Sequence, residues 1–300
     1  MGNQLRSPFF YVGDKYKLMP QIITYFPEKI NRYYEPFTGG SSSALYVTAN
    51  EFFLNDIDPY IIKLHKFISG FADCPDKLFD KIFRLIAKYE LTLSYKNITV
   101  TDEYKRKYIK TYFAEYNRTA YLKIRQRFNL DKNNMYLLYI LLIYGFNHFM
   151  RFNQAGKFNL PVGNVDFNQN VYNALIGYLE FSRNNDITFS NKDFSKFIDN
   201  VKFQNHDFVY LDPPYLISAS EYNKIWSEEK EKKLIALLDK LNENSVKFAI
   251  SNLTEHKGKK NEIFLKWASR YNIKEISSNY ISYHDNTIKN SKEVLVRNYD

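Results

Sequence analysis

The stretch Phe208-Val209-Tyr210-Leu211-Asp212-Pro213-Pro214-Tyr215 decides how this chain is read. Its first four residues form an unbroken apolar run bounded by His206-Asp207. A short run with no polar alternation predicts a strand buried on both faces, as in a parallel sheet. Asp212-Pro213-Pro214-Tyr215 then falls at the carboxyl end of that strand, the edge where open α/β sheets bind ligands. Two consecutive prolines fix two φ angles and remove two backbone donors, so the turn is stiff. The Asp212 carboxylate and the Pro213 carbonyl make a rigid pair of acceptors on it. An exocyclic amine, with two N–H donors, suits such a pair, and the Tyr215 ring offers a flat face to a heterocycle. The plain alternative is a strand-ending turn that happens to be proline-rich.

Upstream, Tyr33-Tyr34-Glu35-Pro36-Phe37 reads as a strand and Thr38-Gly39-Gly40-Ser41-Ser42-Ser43 as a flexible turn. Ala44 to Thr48 would open a helix, and Phe52-Phe53-Leu54-Asn55-Asp56 would be a second strand ending in an acid. Strand, glycine turn, helix, strand ending in Asp is the layout of a nucleoside site at a helix N-terminus. An acid about twenty residues past a glycine turn accepts from ribose hydroxyls in dinucleotide sites. Asp56 is the candidate here, with a helix N-cap as its alternative role.

Between about Ile61 and Asn170 the pattern turns helical, with stretches at Pro59 to Gly70, Pro75 to Tyr89, Glu103 to Asn117 and Thr119 to Phe128. Lys105, Arg106, Lys107, Lys110, Arg118, Lys123, Arg125, Arg127, Lys132, Arg151 and Lys157 face few acids: Asp102, Glu103, Glu115 and Asp131. Single charge runs are usually solvated helix faces. The imbalance over the whole block favours a surface that meets phosphates. Asn153 to Asn159 reads as a hairpin loop, its Asn and Gly supplying positive φ. From Ala174 the α/β alternation resumes, with strands at Asp186 to Ser190, Val246 to Asn252 and Glu293 to Tyr299, and a polar helix from Ser227 to Leu241. The expected organisation is therefore one α/β domain from residues 1–60 and 171–300, interrupted by a helical domain over 61–170 with a hairpin at about 151–165.

Composition limits the rest. An apolar share of 45%, with aromatic residues making up 18% of the chain, is ample for a packed core. A net charge of +9 suits a polyanionic partner. The single cysteine, Cys74, excludes a disulfide framework or thiolate cluster within one chain and fits a reducing compartment. Met1 to Phe10 lacks the apolar core of a signal peptide. The most apolar later stretch, Met135 to Phe152, is broken by Asn147, His148 and Arg151, which predicts a buried helix and no membrane span.

In this order these pieces resemble the Dam-type (D12 class, alpha group) N6-adenine DNA methyltransferases over nearly the whole chain. Tyr11-Val12-Gly13-Asp14-Lys15 is similar to the family's Trp-x-Gly-Gly-Lys segment, and Glu35 to Ser41 to its Phe-x-Gly-x-Gly turn. Leu54-Asn55-Asp56-Ile57-Asp58 resembles the acidic end of its second strand. Asn147, Phe149, Arg151-Phe152-Asn153, Gly156, Phe158-Asn159 and Pro161 resemble its target-recognition hairpin, and Asp212 to Tyr215 its catalytic tetrapeptide. The resemblance implies a Rossmann-like, doubly wound α/β fold with an inserted helical recognition domain. It implies S-adenosylmethionine as methyl donor, double-stranded DNA as partner and no metal. It also implies a bacterial or phage-encoded cytoplasmic, nucleoid-associated enzyme and, in a restriction setting, a cognate endonuclease that forms no stable complex with it.

On that resemblance Asp212, Pro213, Pro214 and Tyr215 are catalytic. Tyr11, Lys15, Phe37, Gly39, Asp56, Asp193, Phe194 and Asp212 line the donor, and Asn147, Phe149, Arg151, Asn153 and Pro161 meet DNA. Lys15 would meet the methionine carboxylate or a flanking phosphate. Asp193 would accept from the donor's adenine amine with Phe194 on the ring, a helix cap being the alternative. Arg151 would read a guanine in a GAT-containing site, GATC above all, or hold a phosphate instead. Tyr215 would stack on a flipped adenine. Tyr11 for Trp, Ser41 for the second glycine of the turn, and Asn164-Val165 where relatives carry DNA-contacting residues are departures from the pattern. The competing readings are a cytosine-N4 methyltransferase, in which Ser more often replaces Asp212; a protein-glutamine or RNA methyltransferase, which more often carries Asn there; and a non-catalytic DNA-binding relative.

Overall fold

The computed structural model describes residues 5–11, 13–218, 226–277 and 291–300; Val12 and Met1 to Gln4, which fall in the segments read above, lie outside them. Its chain divides into two units: Met1–Asp14, Gly39–Leu45 and Asp58–Asn185 form one, and Lys15–Thr38, Tyr46–Ile57 and Asp186–Asp300 the other.

The second unit holds the sheet. After a short helix α1 (Met19–Ile22), the strands are β1 (Arg32–Glu35), β2 (Glu51–Asn55), β3 (Asp186–Ser190), β4 (Phe208–Leu211), β5 (Lys247–His256), β6 (Lys259–Lys260), β7 (Asn272–Ile276) and β8 (Ser291–Arg297). Their order is β3-β2-β1-β4-β5-β8-β7, with β6 paired to β5. The first five strands run parallel, and β8 is antiparallel to both β5 and β7. Every residue of β4 is buried, which is why it reads as continuous apolar sequence. Val209 and Leu211 of β4, Phe248 and Ile250 of β5, and Val294 and Val296 of β8 point to one face. That face packs on α8 (Phe194–Asp199), α9 (Glu228–Glu243) and α10 (Glu262–Ala268). Phe208 and Tyr210 point the other way and meet Phe26 at 4.8 and 5.1 Å between ring centroids. Arg32 donates through Nε and Nη2 to the buried Asp207 carboxylate, pinning the start of β1 to that of β4.

The first unit is helical: α2 (Pro59–Ser69), α3 (Pro75–Lys88), α4 (Asp102–Tyr108), α5 (Tyr112–Leu130), α6 (Met135–Ile143) and α7 (Gln169–Asn184). Among the described residues no helix is long and apolar enough to cross a membrane. The apolar stretch beginning at Met135 is α6, buried on every side, as an all-round apolar helix must be.

Two expectations fail locally. Ala44 opens only a single 3-10 turn, Ala44–Tyr46, because the short connection from Pro36 is spent on Gly39 and Ser41, both at positive φ (44° and 62°). The boundary expected near Arg118 is absent. The chain breaks instead at Ile109 (φ 38°, ψ −90°), and α5 starts where Asn164 Oδ1 accepts from the Phe113 and Ala114 amides. Asn164, a departure from the family pattern, thus has a structural task as a helix cap.

Candidate active site

Asn55 organises the ligand edge of the parallel strands. Fully buried at the end of β2, its Nδ2 donates to the Pro36 and Lys192 carbonyls while its Oδ1 accepts from the Lys192 amide. The ends of β1, β2 and β3 are thereby held together, and Asp56 is presented half-buried just beyond them. Asp56 is not a helix cap: Asp58 caps α2, accepting from the Tyr60 amide at 2.8 Å. A cleft of about 530 Å³ opens at the same edge, lined by Ile57, Asn191, Lys192, Asp193, Lys196 and Asn200.

Asp193 does cap a helix. Its Oδ1 accepts from the Ser195 amide (3.1 Å), the Ser195 hydroxyl (2.6 Å) and Lys233 (3.2 Å). Those donors hold its carboxyl below the usual range against the opposing effect of burial. Phe194 is buried against Phe37 and Trp226, with ring centroids 5.1 and 5.8 Å away. Both rings expected to line the donor therefore sit in one aromatic cluster of the second unit.

Asp212 follows β4 with its side chain one-fifth exposed. Lys15 Nζ lies 3.1 Å from Asp212 Oδ2 and 3.6 Å from Glu293 Oε1. The Tyr215 hydroxyl lies within donating distance of Asp212 Oδ1 (2.9 Å) and of Glu293 Oε1 (3.1 Å). One ammonium and one phenol therefore serve two carboxyl groups. Burial pushes the Asp212 carboxyl up, Lys15 counters it, and Glu293 pushes it up further. Tyr215 is itself buried, and the Lys15 ammonium sits over its ring, 4.9 Å from the centroid. Lys15, expected to meet a carboxylate or phosphate of a ligand, is here paired with carboxylates of its own chain. Glu293 escaped the sequence reading, where it was only the first residue of a last strand; a lone acid opening an apolar strand was the available signal.

In the helical unit, Tyr11 packs its ring on Gly39: a Cβ built there would meet Tyr11 Cδ1 at 3.1 Å. A Cβ at Gly40 would meet Ser7 Oγ at 2.8 Å, so a side chain there would force Ser7 to shift. The Gly39 carbonyl is held by His65 Nε2 (2.8 Å), and His65 Nδ1 meets the Tyr178 hydroxyl (2.6 Å). A carbonyl only accepts, so Nε2 carries the proton and Nδ1 accepts from Tyr178. Complete burial pushes the His65 pKa down to about 4, keeping the ring neutral.

The hairpin forms between Arg151 and Asn159. The Asn153 amide donates to the Lys157 carbonyl at 2.9 Å, Asn153 Oδ1 accepts the Lys157 amide, and Gly156 takes φ 64° in the loop. The Phe146 amide donates to the Pro161 carbonyl (2.9 Å), tying the hairpin's exit to the segment before it. In that segment Asn147 and His148 both adopt positive φ (52° and 54°), Phe146 is half exposed and Phe149 is partly covered. Arg151 is exposed, with Nε and Nη2 donating to Asn159 Oδ1 (3.1 Å) and to the Asn159 carbonyl (2.8 Å). Among the described residues no group of His, Cys, Asp and Glu is arranged to hold a metal.

Comparison with known proteins identifies the family. The chain is 33% identical to Modification methylase StsI of Streptococcus sanguinis across 99% of its own length and 43% of that protein's. It is likewise 33% identical to Type II methyltransferase M.FokI of Planomicrobium okeanokoites, across 98% and 43%. A DNA adenine methylase of Vibrio cholerae is 24% identical over 68% of the chain. The chain thus spans less than half the length of the first two relatives. The model of one family matches residues 11–281, which takes in the glycine turn, the hairpin and the Asp212 tetrapeptide: the chain belongs to the D12 class N6 adenine-specific DNA methyltransferases.

Proposed function

We propose that this chain is a site-specific DNA adenine-N6 methyltransferase acting with S-adenosylmethionine, in a modification setting like that named for its relatives. The observation that carries the reading is the Asp212 carboxylate, held on a two-proline turn at the sheet's ligand edge and backed by Lys15, Tyr215 and Glu293.

The residues present fit the donor. Asp56 directly follows β2, where an acid can accept from ribose hydroxyls. Ser195 and Lys233 hold Asp193 through Oδ1, and an adenine amine would donate to Oδ2 with the cap in place. Phe37 and Phe194 supply apolar surface. The donor, when bound, supplies a methyl group on an electrophilic sulfonium.

The chain's own task is the nucleophile. The N6 lone pair of adenine is delocalised into the ring. Asp212 and the Pro213 carbonyl accept its two N–H bonds and draw the nitrogen toward tetrahedral geometry, so the lone pair becomes available. The positive charge that builds on nitrogen meets a preorganised carboxylate. A stacked base cannot reach this pocket, so the adenine flips out and Tyr215 turns its ring to stack on it.

DNA is held by the helical unit. Arg106, Lys107, Lys110, Lys123 and Arg127 are exposed on α4 and α5 or between them. Arg125 Nη1 supports the hairpin through the Leu160 carbonyl at 3.2 Å. Asn147, Phe149, Arg151, Asn153 and Pro161 form the recognition segment, with Arg151 reading a guanine of a GAT-containing site, GATC being the first to test. Expression in a host without DNA methylation, followed by nucleoside analysis and sequencing of plasmid DNA, tests the reading. N6-methyladenine at one sequence is expected; N4-methylcytosine, or no methylation, overturns it.

A further inference from the structure

Glu293 is fully buried, yet the sheet has no need of an acid there. On β8, Leu295 shares its face and is also fully buried, so an apolar side chain would continue that face. Burying a carboxyl group is costly unless it is paired. Glu293 is placed opposite Leu253, where β5 carries a bulge between Leu253 and Glu255. Bulges re-aim neighbouring side chains, and here the Glu293 carboxyl meets the Lys15 ammonium and the Tyr215 hydroxyl. These are the same two groups that engage Asp212.

That sharing has a chemical consequence. An amine N–H that joins Lys15 and Tyr215 on the Asp212 carboxylate competes with them for its oxygens and loosens their hold. If Asp212 were their sole acceptor, loosening would strand a buried ammonium or phenol, at the cost of an unmade charge-assisted bond. With Glu293 in place, both donors keep an acceptor when they leave.

We propose that Glu293 is a positioning residue for methyl transfer: it takes over the Lys15 ammonium and the Tyr215 hydroxyl as the Asp212 carboxylate turns to the substrate's amine. The inference rests on the reading of Asp212 as the amine's acceptor. The charge on Glu293 further opposes that of Lys15 at Asp212, keeping the carboxylate a good acceptor.

The test is Glu293→Gln, which keeps the shape and an acceptor oxygen but removes the carboxylate that faces the ammonium. Single-turnover methylation should fall about tenfold or more, while donor and DNA dissociation constants stay within about twofold. The acid limb of the rate profile should move to lower pH, because the charge that pushes the Asp212 carboxyl up is gone. Glu293→Asp should recover part of the rate and move the limb back. Without donor or DNA, competitive acetylation read by mass spectrometry should show Lys15 reacting faster in Glu293→Gln than in the wild type. An unchanged rate overturns the inference. So does a fall in rate with the acid limb and the Lys15 labelling both unmoved, which is the signature of a packing role. A wild-type protein that methylates beside an indifferent Glu293→Gln refutes this inference alone; a wild-type protein that methylates no adenine overturns the functional reading and this inference with it.

Discussion

Replacing Arg151 by Ala should relax sequence preference at one base pair. A guanidinium has five N–H donors in a fixed fork. In the hairpin, Nε and one donor of Nη2 are committed to Asn159. Both donors of Nη1 and one of Nη2 lie outside those bonds, and the Nη1/Nη2 edge is the one that can donate two parallel bonds to O6 and N7 of guanine. The Asn159 contacts therefore fix the plane of the fork before DNA arrives, which lowers the ordering cost of the contact. A bidentate base contact contributes about 1–3 kcal/mol of discrimination, equivalent to roughly 5- to 150-fold. The assay compares Arg151→Ala with wild type on the methylated duplex and on a duplex with the guanine replaced, each over a salt series. Base readout predicts a loss of that size on the first duplex only, with little change in salt slope. Equal losses on both, with a slope reduced by about one, would mean that Arg151 holds a phosphate and would falsify the reading. Asn159→Ala should give a smaller loss of the same kind, because it removes the Nε bond and leaves the fork held only through the residue-159 carbonyl.

Asp212→Ala should lower single-turnover methylation about 100-fold or more with donor and DNA affinity largely kept; the fold should survive, since Lys15 retains Glu293, and a variant keeping over about a tenth of the rate would sink the mechanism. Asp56→Ala should raise the S-adenosylmethionine dissociation constant roughly ten- to hundredfold, the worth of a charge-assisted bond, and an unchanged calorimetric affinity would remove Asp56 from the donor site. The His65 pKa is pushed down to about 4 in the folded chain, whereas an unfolded histidine titrates near 6.5. Between those values the unfolded chain binds the extra proton, so stability falls as pH drops through that window, by roughly 3 kcal/mol in all. Urea unfolding of the wild type and of His65→Gln between pH 7 and about 4 reads this contribution, and equal pH slopes in the two proteins would show that His65 does not titrate this way.

The elements with a local signature were legible. The apolar run of β4, the Pro-Pro turn after it, the strands ending at Glu35 and Asn55, and the Asn-Gly hairpin follow from side-chain periodicity and turn chemistry, which act over a few residues. The breaks were less legible. Glu103 to Asn117 keeps a helical pattern straight through Ile109, where the chain breaks, and the next helix starts on amide bonds to Asn164, far along the chain. The missing helix after Ala44 has a related cause: His65 and Tyr11 hold the glycine turn from outside it. The arrangement around Asp212 lay beyond the sequence altogether. Lys15, Asp212 and Glu293 are far apart in the chain, and they meet because β8 enters antiparallel beside β5 in a register that a bulge shifts at Glu293. A strand's residue types determine that it is a strand; which of its side chains reaches a site depends on its neighbour and its register, and those are set by long-range pairing across the whole sheet.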